Sequence, residues 1–151
     1  MKINIIKAEI NDAKRIAPLF DQYRQFYRQP SDLSAAENFL TERLSNNESI
    51  VYFAEDDQNN ILGFTQLYPC FSSVSVCSKL ILNDLFVEES ARGLGIAKLL
   101  IEAAKGCALE RGDKRLSLQT ATDNLIAQKF YSKMDFHLVE DFVQYSLTII
   151  E

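Results

Sequence analysis

The amino-acid sequence predicts a mixed α/β domain in which one sheet carries helices on both sides, in the order βααβββαβαββ. Three observations predict it. Short runs rich in β-branched and aromatic residues alternate with stretches whose apolar residues recur at helical spacing. The run LILNDLFV (80–87) is apolar except at Asn83 and Asp84, the pattern of a central strand covered on both faces. Gly93 and Gly95 then lead into the most regular helical pattern of the chain.

Taken in order, residues 3–8 (INIIKA) are a short isoleucine-rich strand. Ile16, Leu19, Phe20, Tyr23, Phe26 and Tyr27 mark a helix starting near Asn11 or Asp12, both capping residue types, and Pro18 predicts a late start or a kink. Pro30 ends this helix. Ser34-Ala-Ala-Glu37 reads as a capping box opening a second helix, with Ala36, Phe39, Leu40 and Leu44 on one face. SIVYFAE (49–55) and ILGFTQLY (61–68) flank the polar DDQNN tract as a hairpin, and CFSSVSVCS (70–78) is a Ser-rich loop before strand 80–87. Ile96, Leu99, Leu100, Ala103, Ala104, Cys107 and Ala108 define the next helix, which Gly112 ends. RLSLQTA (115–121) alternates as a strand. Thr122 or Asp123 caps a last helix with Ala127, Phe130, Tyr131 and Met134 on one face, and FHLVE (136–140) and FVQYSLTII (142–150) close the chain as strands.

With 151 residues and no linker or repeat, the chain is expected to be a single domain over 1–151. Sixteen Lys plus Arg against twenty-one Asp plus Glu give a net charge of -5, the wrong sign for a nonspecific nucleic-acid binder. No stretch approaches the roughly 18 apolar residues of a membrane span, and no targeting segment is visible, so the cytoplasm is the expected location. Cys70, Cys77 and Cys107 are odd in number and lack disulfide or zinc spacing, so they are read as reduced thiols and no metal site is expected.

Function is concentrated after strand 80–87. Glycines allow close approach of backbone to a ligand, and a helix start offers unpaired N–H groups and a positive dipole end, so Arg92-Gly93-Leu94-Gly95-Ile96-Ala97-Lys98 reads as a diphosphate cradle. A plain tight turn is the bland alternative. A dinucleotide fingerprint would need glycine where Lys98 stands, and a phosphate-binding Walker loop would need Gly-Lys-Ser/Thr after four spacers, so neither applies. Arg92-Gly-Leu-Gly95-Ile-Ala97 instead resembles the Q/R-x-x-G-x-G/A signature of the GNAT N-acetyltransferases. The segment from Asn124 to Phe136 resembles the same family's N-x-x-A-x-x-F-Y-x-K-x-G-F stretch, with Asp135 where the family has glycine. Asp tolerates left-handed backbone better than most residues, so the turn is expected to survive with some strain.

The resemblance implies the GNAT fold, α+β with a mixed, mostly antiparallel central sheet, and acetyl-CoA as co-substrate. It implies that backbone at Leu85, Phe86 and Val87 holds the pantetheine arm where two strands splay apart. Tyr131 is then the general acid for the departing thiolate, and Asn124 a contact to the coenzyme arm. Lys133 is a phosphate contact or merely solvated. The bland readings are a core aromatic for Tyr131 and a helix cap for Asn124. Leu82-Asn83-Asp84-Leu-Phe-Val87 partly resembles the Leu-Glu-Asp-Phe-Phe-Val stretch of the spermidine/spermine N-acetyltransferases, with Asn83 in place of the candidate base. Asp84 is kept; it is expected to attract a cationic amine or relay its proton, against the alternative of a carboxylate bonded to backbone at a bulge. Tyr23, Phe26, Tyr27 and Asp32, with Asn83 and Asp84, are substrate-side candidates. The lone His137 is expected at the surface.

The sequence therefore predicts an acetyl-CoA-dependent N-acetyltransferase that acts directly on a primary amine, expected to be a small cationic acceptor such as a polyamine or amino acid. The alternatives are a catalytically weak acetyl-CoA sensor or interaction module, a protein N-terminal or lysine acetyltransferase, and a nucleotide-phosphate enzyme reusing the cradle. The apolar terminal run predicts a homodimer.

Overall fold

Period-two burial and helical stripes place five strands and four helices in the computed structural model, which describes residues 1–151. The strands are β1 (Asn4–Lys7), β2 (Ile50–Glu55), β3 (Ile61–Ser72), β4 (Cys77–Val87) and β5 (Leu116–Leu118). They pair in chain order, antiparallel up to β4, while β5 runs parallel to β4. The sheet is thus mixed and mostly antiparallel. The helices are α1 (Ala13–Phe26), α2 (Leu33–Ser45), α3 (Ile96–Arg111) and α4 (Leu125–Lys133). The chain gathers into two compact units, Met1–Gln119 with all five strands, and Thr120–Glu151 with α4.

Successive strand residues face opposite sides of a sheet, and Phe53 and Ala54 show what that does here. Phe53, with Val51 and Phe64, packs beneath Ile16 and Phe20 of α1 and Leu40 of α2. Ala54 packs on the other face with Leu62 and with Ile96 and Leu100 of α3. Helices on both faces are therefore observed. Full burial of side chains such as Phe53, Phe64, Ile16 and Leu40 stabilises by roughly 1.5–3 kcal/mol each, enough in sum to tolerate a polar cluster inside the same layer.

Several boundaries differ from the sequence expectation. Residues 70–78 are not a Ser-rich loop: β3 and β4 stay paired out to Ser72↔Cys77, leaving only the turn between them. Ladder pairing carries these strands, although Phe71, Val74 and Val76 remain exposed near the tip. Pro69 is tolerated because β2 ends opposite Leu67, so this part of β3 has a free edge where no N–H is needed. The α1 helix runs through Pro18 and follows a 3-10 turn in which Asp12 accepts from the Glu9 amide at 2.8 Å, so Asp12 ties back that turn instead of capping α1 with its side chain. Asp32, rather than Ser34, caps α2, its Oδ1 accepting from the Ala35 amide at 3.0 Å. Asn124, not Thr122 or Asp123, caps α4. The strand predicted over 115–121 shortens to Leu116–Leu118.

The two closing strands are absent: residues 136–151 carry no strand. Alternation at 142–150 supplies strand-like side chains, and that pattern alone does not make a strand.

Candidate functional site

Strand β4 changes register at its polar pair. Gln66 lies opposite Asp84 and Leu67 opposite Leu82, so Asn83 is the extra residue of a bulge. Asn83 is exposed, whereas Asp84 is 4% exposed and turns toward the α1 side of the sheet, where its neighbour across the ladder, Gln66, is fully buried. Gln66 Nε2 donates to Asp84 Oδ2 at 2.6 Å and Asn83 Nδ2 donates to Oδ1 at 2.9 Å. Thr65 Oγ1 donates to the Asp84 backbone carbonyl at 2.8 Å. The Tyr23 hydroxyl from α1 reaches the same carboxylate and donates to the Asn83 carbonyl at 3.3 Å.

Burial raises the Asp84 carboxyl above its ordinary value of 3.8, and the hydrogen bonds from Gln66, Tyr23 and Asn83 offset only part of that. Burial and the nearby Asp84 charge also hold the Tyr23 phenol well above its usual range and push the Tyr68 phenol to about 12. Rings cluster around Tyr23. Tyr23 meets Tyr27 at 5.1 Å and Phe86 at 5.9 Å between centroids, and Phe26 meets Tyr27 at 5.3 Å. Phe26 and Tyr27 are themselves exposed.

Beyond the bulge, β5 stops pairing at Leu82↔Leu118, so residues 83–87 run past it. Within that stretch Leu85 and Val87 pack on the α3 side and Phe86 on the α1 side. Leu85, Phe86 and Val87, the stretch expected to face an opening, thus lie beyond the β4–β5 pairing. Arg92 then ties the following loop to the strand: its Nε donates to the Val87 carbonyl at 3.1 Å and its guanidinium lies 5.5 Å from the Phe86 ring centre.

Gly93 and Gly95 both adopt left-handed backbone, φ +84° and +79°, and a Cβ at either would meet nothing within 4 Å, so conformation rather than space demands glycine. Gly95 caps α3 without a side chain, and the first helical bond is from Leu99 N–H to the Gly95 carbonyl. The amides of Ile96, Ala97 and Lys98 are left without an intrahelical acceptor. Arg92, Leu94 and Lys98 are exposed around them. A start of this kind suits an anion with several oxygens.

In the second unit, Asn124 Oδ1 accepts from the Ala127 amide at 3.1 Å, so its carbonyl end serves as a cap. Tyr131, seven residues on, projects from the same side of α4. Its ring packs beside Phe130 at 5.6 Å and Phe136 at 5.8 Å. Lys133 is exposed in the last turn. Asp135 is left-handed, φ +69°, as expected. Around it the Phe136 amide bonds the Tyr131 carbonyl and the Asp135 amide bonds the Ser132 carbonyl, a Schellman end whose apolar contact is Tyr131 with Phe136.

The structure thus brings Asn83, Asp84 and Tyr23 together and places Tyr27 next to them. Asp32 spends one carboxylate oxygen on its cap, while its amide is held by Asp21 Oδ1 at 2.8 Å. His137 is exposed. Gln66 was not singled out from the sequence, although Thr65-Gln66 interrupts an apolar strand in the same way as Asn83-Asp84.

The Acetyltransferase (GNAT) family pattern matches residues 14–136. The chain is 48% identical over 147 residues to an uncharacterised N-acetyltransferase, YhfO, of Bacillus subtilis strain 168, covering 97% of this chain and 98% of that one. It is 32% identical over 133 residues to a probable acetyltransferase of Haemophilus influenzae, covering 88% and 87% of the two chains. The crystal structure of a probable acetyltransferase superposes with a TM-score of 0.92 at 39% identity, over 98% of this chain and 99% of that one.

Proposed function

Because the chain belongs to the GNAT acetyltransferase family, we propose that it transfers acetyl from acetyl-CoA directly to a primary amine, the acceptor being a small cationic molecule. The observation that carries this reading is the layout of β4. One strand bears the buried Asp84 and, through the bond from Arg92 to the Val87 carbonyl, the open amides at the start of α3.

Acetyl-CoA, when bound, supplies an acetyl group already activated as a thioester. The amides of residues 95–98 hold its diphosphate, Arg92 and Lys98 add positive charge, and the backbone at Leu85, Phe86 and Val87 receives the pantetheine arm. Leu94 flanks the cradle. Asp84 attracts the acceptor's ammonium and takes its proton, directly or through water; a carboxyl raised by burial is a better base than an ordinary one. The nitrogen lone pair then forms the N–C bond as the C–S bond breaks, and Tyr131 gives its phenol proton to the departing sulfur. The acylated nitrogen sheds its surplus proton to water, from which the Tyr131 phenol is reprotonated. Asn124 binds the coenzyme arm through its amide N–H and Lys133 adds a phosphate contact. Asn83, Tyr27 and Asp32 face the acceptor, and the acidic balance of the chain favours a cation, as the partial polyamine-acetyltransferase likeness does.

The test is thiol release from acetyl-CoA across a panel of polyamines, amino acids and aminoglycosides. At least one cationic amine is expected to accelerate release well above hydrolysis; a flat panel overturns the reading. Tyr131→Phe is expected to lower turnover about 10²-fold or more, the scale of general-acid catalysis, with coenzyme affinity retained. We further read residues 1–151 as one catalytic domain and the reaction as cytoplasmic, which three unpaired cysteines support. Homodimer formation is supported by the exposed apolar side chains from Phe142 to Ile150.

A further inference from the structure

Gln66 is an expensive residue where it stands. It is fully buried, its Nε2 is committed to Asp84 at 2.6 Å, and its Oε1 has no hydrogen-bond partner. An orphaned buried carbonyl is disfavoured, and a Leu or Met of similar volume would avoid it. Its retention is explained by Asp84. In the reading above that carboxyl changes protonation state in each turnover, so a partner that only donates satisfies the carboxylate and fails the acid. A carboxamide carries a donor and an acceptor on one planar group, and a half-turn about its terminal torsion exchanges them.

We infer that Gln66 is the positioning residue for Asp84, donating from Nε2 to the carboxylate and, after a half-turn, accepting at Oε1 from the protonated acid. The side chain of Asp84 is then held in one place through both states. One atom of Gln66 is unpaired in each state, and the charge-assisted bond to the carboxylate is the stronger of the two, so Gln66 holds the acid in place while favouring the ionised form. The inference rests on Asp84 serving as the acceptor-side base. Other groups facing Asp84 are Tyr23 from α1, Tyr68 from β3 and Asn83 beside it, with Tyr27 behind Tyr23 and Arg43 of α2 acting on Tyr68. The phenols of Tyr23 and Tyr68 are both raised and stay protonated near neutrality.

The experiment reads the Asp84 carboxyl by 13C NMR titration of the free protein, alongside the pH profile of kcat/KM for the amine. Gln66→Met removes the donor to the ionised form. The Asp84 titration is expected to move up by about one pH unit, the acid limb of the profile to move with it, and the KM for acetyl-CoA to hold. Gln66→Glu, which keeps the shape, is expected to give a biphasic titration as two carboxyls share a proton, and it supplies the readout if the Met variant does not fold. An Asp84 titration equal to wild type in these variants overturns the inference. The parent reading is judged separately by Asp84→Asn: if that variant keeps the wild-type rate and acid limb, Asp84 is not the base, whatever Gln66 does to its titration.

Discussion

Two buried carboxylates of the first unit carry opposite signs of pH dependence. Asp21, on α1, accepts from Ser31 Oγ at 2.6 Å, from the Asp32 amide at 2.8 Å and from Gln25 Nε2 at 3.2 Å. These bonds, Ser31 first, hold its carboxyl below 3.8, so the stability it contributes is present above that value and lost as pH falls through the lowered one. Asp21→Ala is expected to cost about 2 kcal/mol at pH 7, read by denaturant unfolding, and to loosen the turn that leads to the Asp32 cap. Asp84 is the reverse case. Its raised value means that its contribution is full below 3.8 and is lost as pH rises through the folded value. Asp84→Asn is therefore expected to match or exceed wild-type thermal stability at pH 7 while losing activity, with the stability difference closing below about pH 4. A variant less stable at pH 7 than at pH 4, relative to wild type, contradicts this. Sequence pattern identified Asp84 because a charge inside an apolar strand demands a reason. Gln66 escaped because its meaning depends on which residue lies across the ladder, and register is invisible before pairing is known.

At the scale of elements, legibility followed local physics. The α3 helix was readable to its ends because apolar spacing, a glycine-rich start and a left-handed Gly112 all agree. The long β3–β4 hairpin was not, since Ser-rich residues paired only because strands already aligned by Phe64↔Phe86 extend their ladder outward. The closing strands differ for the complementary reason: alternation over 142–150 supplies the side-chain pattern, and pattern alone does not make a strand. Two element ends give predictions. Gly95→Ala forces a left-handed alanine at a cost of roughly 1–2 kcal/mol, and it is expected to weaken coenzyme binding more than it lowers the melting temperature. Asp135→Gly relieves a left-handed Asp at the Schellman end of α4 and is expected to leave turnover unchanged while stabilising by up to about 1 kcal/mol, measured by thermal unfolding.

For the whole molecule, the order of elements, the glycine-bounded start of α3 and the Asn124–Phe136 segment made the family legible before any coordinate, because all follow from spacing within short segments. The acceptor was not legible, since the proposed acceptor-side groups lie on α1, β3 and β4 and meet only after folding. In the proposed mechanism the exposed, uncapped start of α3 receives the diphosphate of acetyl-CoA. The most direct measurement is a backbone-amide NMR titration of the free protein with coenzyme A and, separately, with pantetheine, which lacks the diphosphate. The amides of Gly93 and of residues 95–98 are expected to shift with coenzyme A and to stay in place with pantetheine. Amides that stay in place with both ligands, or that respond equally to both, contradict the proposed mechanism.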